Sequence, residues 1–123
     1  MKTAMVRIAI GAALIAVAPA RARAHHSHAM FDGTQELTIT GTVKTFVFAN
    51  PHVYLFVDVK DADGRVTTWQ IEMSTVRIMM ARGVTATTFR DGDTITVSFN
   101  ALRGGGSGGS YTQVIDANGR EYK

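Results

Sequence analysis

The stretch VYLFVDVKDADGRVTTWQI, residues 53–71, decides the fold of this chain. In its first half, Val53, Leu55, Val57 and Val59 alternate with other residues, a period of two that indicates a β-strand with one buried face. Residues 61–64, DADG, are typical of a turn, after which residues 66–71 return as a second strand. The sequence therefore predicts a β-hairpin at the centre of the protein.

A strand is predicted before the hairpin and a helix after it. Residues 37–48 alternate apolar side chains with threonine and predict a long strand, in which Gly41 marks a bulge or a tight bend. Ser74 is expected to cap a helix of about two turns that ends before Gly83.

The remaining sequence predicts two more strands, at residues 94–100 and 111–116. We expect the glycine-rich residues 104–109 between them to be a flexible connection. The resulting order, β-β-β-α-β-β, is that of an OB-type barrel. We predict an all-β domain with one short helix, whose five strands close into an OB-like barrel over residues 37–123. An open five-stranded sheet crossed by a helix is the alternative.

Residues 1–24 have the features of a signal peptide. Two basic residues precede an apolar run, residues 8–18, which is too short to span a bilayer but suits a signal-peptide core. Three overlapping A-x-A triplets follow, and cleavage after the last leaves His25 as the new N-terminus. Residues 25–36 then form a histidine-containing N-terminal arm ahead of the barrel. No second apolar stretch approaches the length of a membrane span.

Removal of the signal peptide changes the net charge. The full chain has 13 Lys and Arg against 10 Asp and Glu, but four of the basic residues and none of the acidic ones lie in residues 1–24. The formal charge of the mature chain is therefore −1 instead of +3. Because no basic surface is left for phosphates, we expect no nucleic-acid partner. The chain has no cysteine, so its stability must come from packing.

All four histidines fall in two segments of the predicted mature chain. Three lie near its N-terminus, and His52 follows an Asn-Pro pair in the first loop. Neutral imidazole is a common ligand of transition metals, and an α-amino group beside an N-terminal histidine adds a chelating nitrogen. We predict a metal site in which copper is favoured and zinc or nickel would also fit. The candidate ligands are His25, His26, His28, His52 and Asp32.

These candidates also have structural interpretations. The N-terminal histidines can belong to a solvated tail, His52 can begin a strand with its ring bonded to the backbone, and Asp32 can cap a turn. Met30 could donate a thioether to Cu(I), but Met30 and Phe31 more naturally form an apolar pair that plugs the barrel. A straight first strand would separate the tail from His52 by about 40 Å, so a shared site requires that strand to coil.

The other polar and sulfur-containing residues favour structural roles. We expect Trp69 in the core, Glu72 as a solvated or helix-capping acid, and Met73, Met79 and Met80 packed against the barrel. No serine, threonine or acid is paired with a histidine in a nucleophile motif, and the glycine run is no phosphate loop. The sequence therefore predicts a protein that is not an enzyme.

Several short sequence motifs are spaced along the chain. Residues 25–32 contain HHS-x-x-MFD, residues 41–52 contain G-x-V-x-x-F and NPH, and W-x-x-E and GD-x-V/I-x-V blocks follow at 69–72 and 92–97. In these blocks the chain resembles a family of small exported bacterial proteins of unknown function. It departs from that family at His28, where phenylalanine is frequent, and at Thr75, where proline is usual. The resemblance implies a periplasmic address and a barrel-like fold, without an established activity.

Two functions follow from these observations. The first is a periplasmic protein that binds or delivers a transition metal through its N-terminal and NPH-loop histidines. The alternative is a structural module of the cell envelope, in which residues 48–52 and the glycine run dock another envelope protein and the histidines are incidental.

Overall fold

A computed structural model describes residues 28–123, with side chains from Ala29 onward. The predicted signal peptide, its cleavage position, His25, His26 and the His28 side chain lie outside the described part of the chain. None of the helices within residues 28–123 has the length and apolarity needed to cross a bilayer.

The described chain is built mainly of β-strands, in the predicted order. A 3₁₀ turn, His28–Met30, precedes the first strand. The strands and the helix that follow are β1 (Phe31–Val47), β2 (Tyr54–Lys60), β3 (Val66–Glu72), α1 (Val76–Ala81), β4 (Thr94–Leu102), β5 (Gly108–Ile115) and β6 (Glu121–Tyr122). The two-residue β6, which pairs with the end of β5, is an addition to the predicted five strands.

The five long strands close into a barrel. β1 pairs antiparallel with both β2 and β4, β2 with β3, and β4 with β5. The ring closes where residues 70–72 of β3 pair in parallel with residues 108–110 of β5. This is the OB-type arrangement, so the predicted OB-like barrel is confirmed and the open sheet is wrong.

The core follows the alternation seen in the sequence. Val53, Leu55 and Val57 are fully buried, as the period of two predicts for one face of a strand. The other strands add buried side chains to the same cluster: Val43, Ile71, Ile95, Val97, Phe99 and Val114. Trp69 is half-buried, with its ring 5.4 Å from that of Phe99. The barrel interior is thus filled by side chains.

The helix begins one residue later than the sequence suggests. Thr75 is the N-cap, and its hydroxyl accepts a hydrogen bond from the Ile78 amide at 3.4 Å. Ser74 instead offers its backbone carbonyl to the Val53 amide. Met79 of the helix and the preceding Met73 are buried as predicted, but Met80 is 59% exposed, so the packing prediction is wrong for Met80.

The expected flexibility of the glycine run is wrong for its second half. Gly108 and Gly109 are buried in β5, where a Cβ on Gly109 would lie 2.3 Å from the Asn100 carbonyl oxygen. Glycine is required because the backbones of neighbouring strands approach too closely for a side chain. Only residues 103–107 remain as the connection between β4 and β5.

The first strand also differs from its prediction. β1 begins at Phe31, so residues 31–36 of the arm that we expected ahead of the barrel belong to this strand, in which Phe31 and Glu36 pair with β4. Its irregularities lie between Phe31 and Glu36 and between Val43 and Thr45. Gly41 lies in regular pairing, and a Cβ there would be 2.4 Å from the Asp58 carbonyl oxygen. Close packing of β1 on β2 therefore explains this glycine.

Candidate functional site

A groove of about 230 Å³ lies where β3 meets β5. The start of β1, the start of β2, the end of β3 and the loop between β4 and β5 surround it. Its lining residues are Met30, Phe31, Tyr54, Gln70, Glu72, Leu102, Ser107, Gly108 and Gly109. OB-type barrels use the loops between strands 1 and 2 and strands 4 and 5 for ligands, and this groove lies beside both.

Glu72 connects the groove to the histidine of the first loop. Its Oε1 atom lies 3.2 Å from Nδ1 of His52, and its Oε2 atom accepts a hydrogen bond from the Tyr54 hydroxyl at 3.4 Å. The His52 side chain is 31% exposed and that of Glu72 is 20% exposed. The three side chains form a partly shielded cluster with the carboxylate at its centre.

Hydrogen bonds hold the chain on both sides of His52. The Val53 amide donates to the Ser74 carbonyl at 2.9 Å, and the Met73 amide donates to the Val53 carbonyl at 2.8 Å, so the ladder between β2 and β3 continues to this point. On the other side, Asn50 Oδ1 accepts a hydrogen bond from the Val76 amide at the start of α1, at 3.1 Å. The loop is therefore held at both ends.

The Glu72 carboxylate also changes the pKa of the Tyr54 hydroxyl. Burial, the negative charge of Glu72 and the hydrogen bond to it all raise the pKa of Tyr54 above its ordinary value. The phenol is therefore neutral at physiological pH and donates a hydrogen bond to the carboxylate. This contact helps to hold the Glu72 side chain in place.

The N-terminal part of the described chain reaches the same groove. The Met30 carbonyl accepts a hydrogen bond from the Arg103 amide at 2.9 Å, which ties the 3₁₀ turn to the loop after β4. Phe31 is only 7% exposed, whereas Met30 is 57% exposed. Phe31 is therefore buried as predicted for the pair, although it is not part of the core cluster that fills the barrel, and Met30 lies exposed at the rim of the groove.

Asp32 has the turn-capping contacts of its structural interpretation. Its Oδ1 atom accepts hydrogen bonds from the Thr34 hydroxyl at 2.6 Å and the Thr34 amide at 3.0 Å. These bonds, the hydroxyl first, lower the pKa of Asp32. Asp32 is absent from the lining of the groove, so the structure does not bring it together with His52 there.

The start of the described chain lies at the same groove as the acid that contacts His52. Met30, two residues after His28, lines the same groove as Glu72, which contacts His52. β1 coils around the barrel, so the separation of about 40 Å expected for a straight strand does not apply. Among the described side chains, residues 29–123, no three His, Asp or Glu residues are grouped as a metal would require.

Glu72 is the residue of the site that sequence reasoning missed. It is neither a solvated nor a helix-capping acid, and His52 contacts its carboxylate where we expected a backbone group. The hairpin register pairs Lys60 with Val66 and, counting back, Tyr54 with Glu72. A correct register for this hairpin would have placed Glu72 opposite Tyr54, two residues after His52.

Comparisons with known proteins agree with the fold. The chain is similar to the mitochondrial single-stranded DNA binding protein Rim1 from S. cerevisiae, with a TM-score of 0.52, 12% sequence identity, and coverage of 67% of this chain and 92% of that one. At this identity the similarity shows the fold alone. The comparison with curated proteins gave no match. A family model, described as a family of unknown function (DUF6152), matches residues 12–112, and the chain therefore belongs to that family.

Proposed function

We propose that this protein is exported to the periplasm and there binds or delivers a transition metal, with copper favoured, without acting as an enzyme. The proposed ligands are His52 and the N-terminal histidines His25, His26 and His28. The single observation that carries this proposal is the position of the Glu72 carboxylate 3.2 Å from Nδ1 of His52, at a groove that Met30 also lines.

A carboxylate beside one imidazole nitrogen prepares the other for a metal. The Glu72 charge favours the neutral tautomer of His52 that carries its proton on Nδ1, and this tautomer leaves the lone pair of Nε2 free. Metal-binding histidines in proteins almost always have such a carboxylate, carbonyl or water partner. The ordered loop on both sides of His52 reduces the cost of orienting the ring.

The length of the chain allows the N-terminal histidines to reach this groove. In a 3₁₀ turn each residue advances about 2 Å, so the backbone of His28 lies about 4 Å along the axis from that of Met30. His25 is three residues farther, at most about 11 Å of extended chain. Because Glu72, which contacts His52, lines this groove, we propose that the N-terminal histidines share one site with His52.

The choice of copper rests on the donor atoms. Imidazole nitrogens and a free α-amino group at His25, without thiolates, suit Cu(II), which is also bound more tightly than zinc or nickel by most such sites. The amino group is available only if cleavage occurs before His25. The small-residue triplets and the short apolar run that precede it support export and cleavage at this point.

The test is a competition titration of Cu(II), Zn(II) and Ni(II) into protein that begins at His25. We expect submicromolar Cu(II) binding that is weakened by about tenfold or more in both His25→Ala and His52→Ala, because each variant removes a ligand of one shared site. His28→Phe tests the position at which this chain departs from the family pattern. Thermal unfolding of each variant is the control for folding.

Two results would contradict the proposal. One is an affinity no higher than that of a synthetic HHSHAM peptide, which lacks the barrel. The other is an affinity unchanged in His52→Ala. Either result would favour the alternative, a structural or partner-docking module of the cell envelope.

A further inference from the structure

Two aromatic side chains lie on the outer face of the barrel, outside its core. Tyr54 and Phe56 are two residues apart on β2, so both side chains point to the same face of the sheet, opposite to the buried Leu55. Their rings are half-buried, with centroids 6.4 Å apart and planes inclined by 33°. Neither ring belongs to the hydrophobic cluster that fills the barrel or to the side chains packed against it. Packing of the core therefore does not account for this pair, which we call the aromatic platform.

Side chains of the neighbouring strands flank the aromatic platform. On β3, Glu72 is paired with Tyr54, and the exposed Gln70 is paired with the second ring, that of Phe56. Val47, the neighbour of Tyr54 on β1, is 38% exposed. Tyr54, Gln70 and Glu72 also line the groove of about 230 Å³, so the platform continues into a recess. The outer face therefore combines apolar rings with an amide and a carboxylate at their edge.

This combination of groups suits a sugar. A pyranose ring has a face of C–H groups, which packs against the negatively polarised face of an aromatic ring. Its hydroxyl groups can hydrogen-bond to amide and carboxylate oxygens at the edge of the rings. In OB-type barrels, the face of strands 2 and 3 and the two loops beside the groove bind oligonucleotides and oligosaccharides. The position of the platform thus leaves two classes of ligand.

The charges around the platform favour the uncharged ligand. Glu72 lies at one end of the platform and Asp58, two residues after Phe56, at the other. The cation near the second end is Lys44, whose ammonium group donates to the Thr68 hydroxyl, and this hydroxyl in turn donates to the Asp58 carboxylate. The predicted mature chain has a formal charge of −1, whereas a nucleic acid needs cations for its phosphates. The two carboxylates repel a phosphodiester chain but accept hydrogen bonds from the hydroxyl groups of a neutral sugar.

We propose that the outer face of β2 and β3 binds a neutral oligosaccharide, which stacks on Tyr54 and Phe56. The side chains of Gln70 and Glu72 hydrogen-bond to its hydroxyl groups. This site goes beyond the proposed function, because it takes a ligand of another class and requires neither a metal nor a histidine.

The test is a titration of two neutral oligosaccharides, chitotetraose and cellotetraose, into protein that begins at His25, with a chelator present to remove metal ions. We expect at least one of them to bind at millimolar concentrations or below. Its affinity should fall by about tenfold or more in Phe56→Thr, which removes the ring but keeps a residue suited to a strand. Val66→Thr is the matched control, because Val66 is 59% exposed on the same face but lies at the far end of the hairpin. Thermal unfolding of both variants checks their folding.

The NMR spectrum of the unchanged protein gives a test that needs no variant. The ring resonances of Phe56 should shift when the sugar is added, whereas those of the fully buried Phe99 should stay in place. The inference is wrong if neither sugar binds at millimolar concentrations, if the two threonine variants bind equally, or if the Phe56 ring does not respond. It is also wrong if single-stranded oligo-dT binds more tightly than the sugars, because the platform would then serve a nucleic acid. None of these results depends on metal binding, which the chelator prevents.

Discussion

Glu72 has two partners, His52 and Tyr54, so a change in its charge should affect both. Glu72→Gln removes the negative charge with little change of shape. It therefore weakens the preference of His52 for a proton on Nδ1. We expect metal affinity to fall by about 10- to 100-fold, as for other partners of metal-binding histidines. Isothermal titration with Zn(II) measures this change.

The control for this prediction is Glu36→Gln, which removes an exposed acid of β1 that does not line the groove. It should bind Zn(II) like the unchanged protein. Equal affinities for the two glutamine variants would show that the carboxylate beside His52 has no role in binding.

The titration of Tyr54 gives a second test at the same residue. Glu72→Gln removes the negative charge that helps to raise the Tyr54 pKa, so this pKa should fall towards 10.0, while burial still raises it. In the unchanged protein the folded pKa lies above the unfolded value. The stabilisation of the fold by this tyrosine is therefore present below about pH 10 and is lost as the pH rises through the folded pKa.

The measurement is the difference in tyrosinate absorbance between the unchanged protein and Glu72→Gln across the alkaline range. Tyr111 and Tyr122 lie outside this cluster and serve as internal references. Superimposable titration curves would mean that Tyr54 does not contact the carboxylate in solution.

At the scale of the elements, β5 closes the barrel through residues that have no side chain. A Cβ on Gly109 would lie 2.3 Å from the Asn100 carbonyl oxygen and 2.4 Å from a ring atom of Phe99. We therefore expect Gly109→Ala to lower the free energy of unfolding by about 1–3 kcal/mol, the usual cost of overpacking. Urea denaturation measures this loss.

Gly104→Ala is the matched control from the same glycine run. A Cβ there meets no atom within 4 Å, and its φ is not in the left-handed region. Its unfolding free energy should change by no more than about 0.5–1 kcal/mol, and in the stabilising direction. If the two variants were equally stable, the close approach of β4 and β5 at Gly109 would be incorrect.

The strands could be predicted from the sequence where buried and exposed side chains alternate. They could not be predicted where glycines leave the strand without side chains. Val53, Leu55 and Val57 carry the period of two, and they occupy buried positions of one face as expected. Gly108 and Gly109 carry no such pattern, because their burial depends on how closely the backbones of β3 and β4 approach. The glycine run therefore resembled a loop in sequence, although part of it is a strand.

The candidate site could likewise be predicted only in part from the sequence. The grouping of histidines in two segments is visible in the sequence, and the loop beside strand 2 could be assigned from the order of the elements. The role of Glu72 could not, because it depends on strand register and on where β3 ends. The different burial of Met30 and Phe31 likewise depends on how the start of β1 meets Leu102.

At the scale of the whole molecule, closure of the barrel places the start of β1 and the end of β3 at one groove. The start of β1 and the end of β3, which are separated by most of three strands in sequence, thereby become neighbours. The proposed site is complete only if the mature chain begins at His25, since its amino group would otherwise lie on a residue without an imidazole.

Protein that begins at Arg23, the product of cleavage after the second A-x-A triplet, tests this requirement. We expect its Cu(II) affinity to be lower by about tenfold or more, because the α-amino nitrogen can no longer chelate with the His25 ring. Intact mass of protein purified from the periplasm establishes which form exists in the cell. Equal affinity of the two forms would remove the amino group from the proposed ligand set.

The most direct test of the central claim is the ¹⁵N NMR spectrum of the histidine side chains in protein that begins at His25, recorded with and without Zn(II) as a diamagnetic ion. Binding of His52 through Nε2 should shift that nitrogen strongly, together with imidazole nitrogens of the N-terminal histidines, while Nδ1 of His52 keeps its proton beside Glu72. If the N-terminal rings respond and Nε2 of His52 does not, the barrel takes no part in binding and the shared site does not exist.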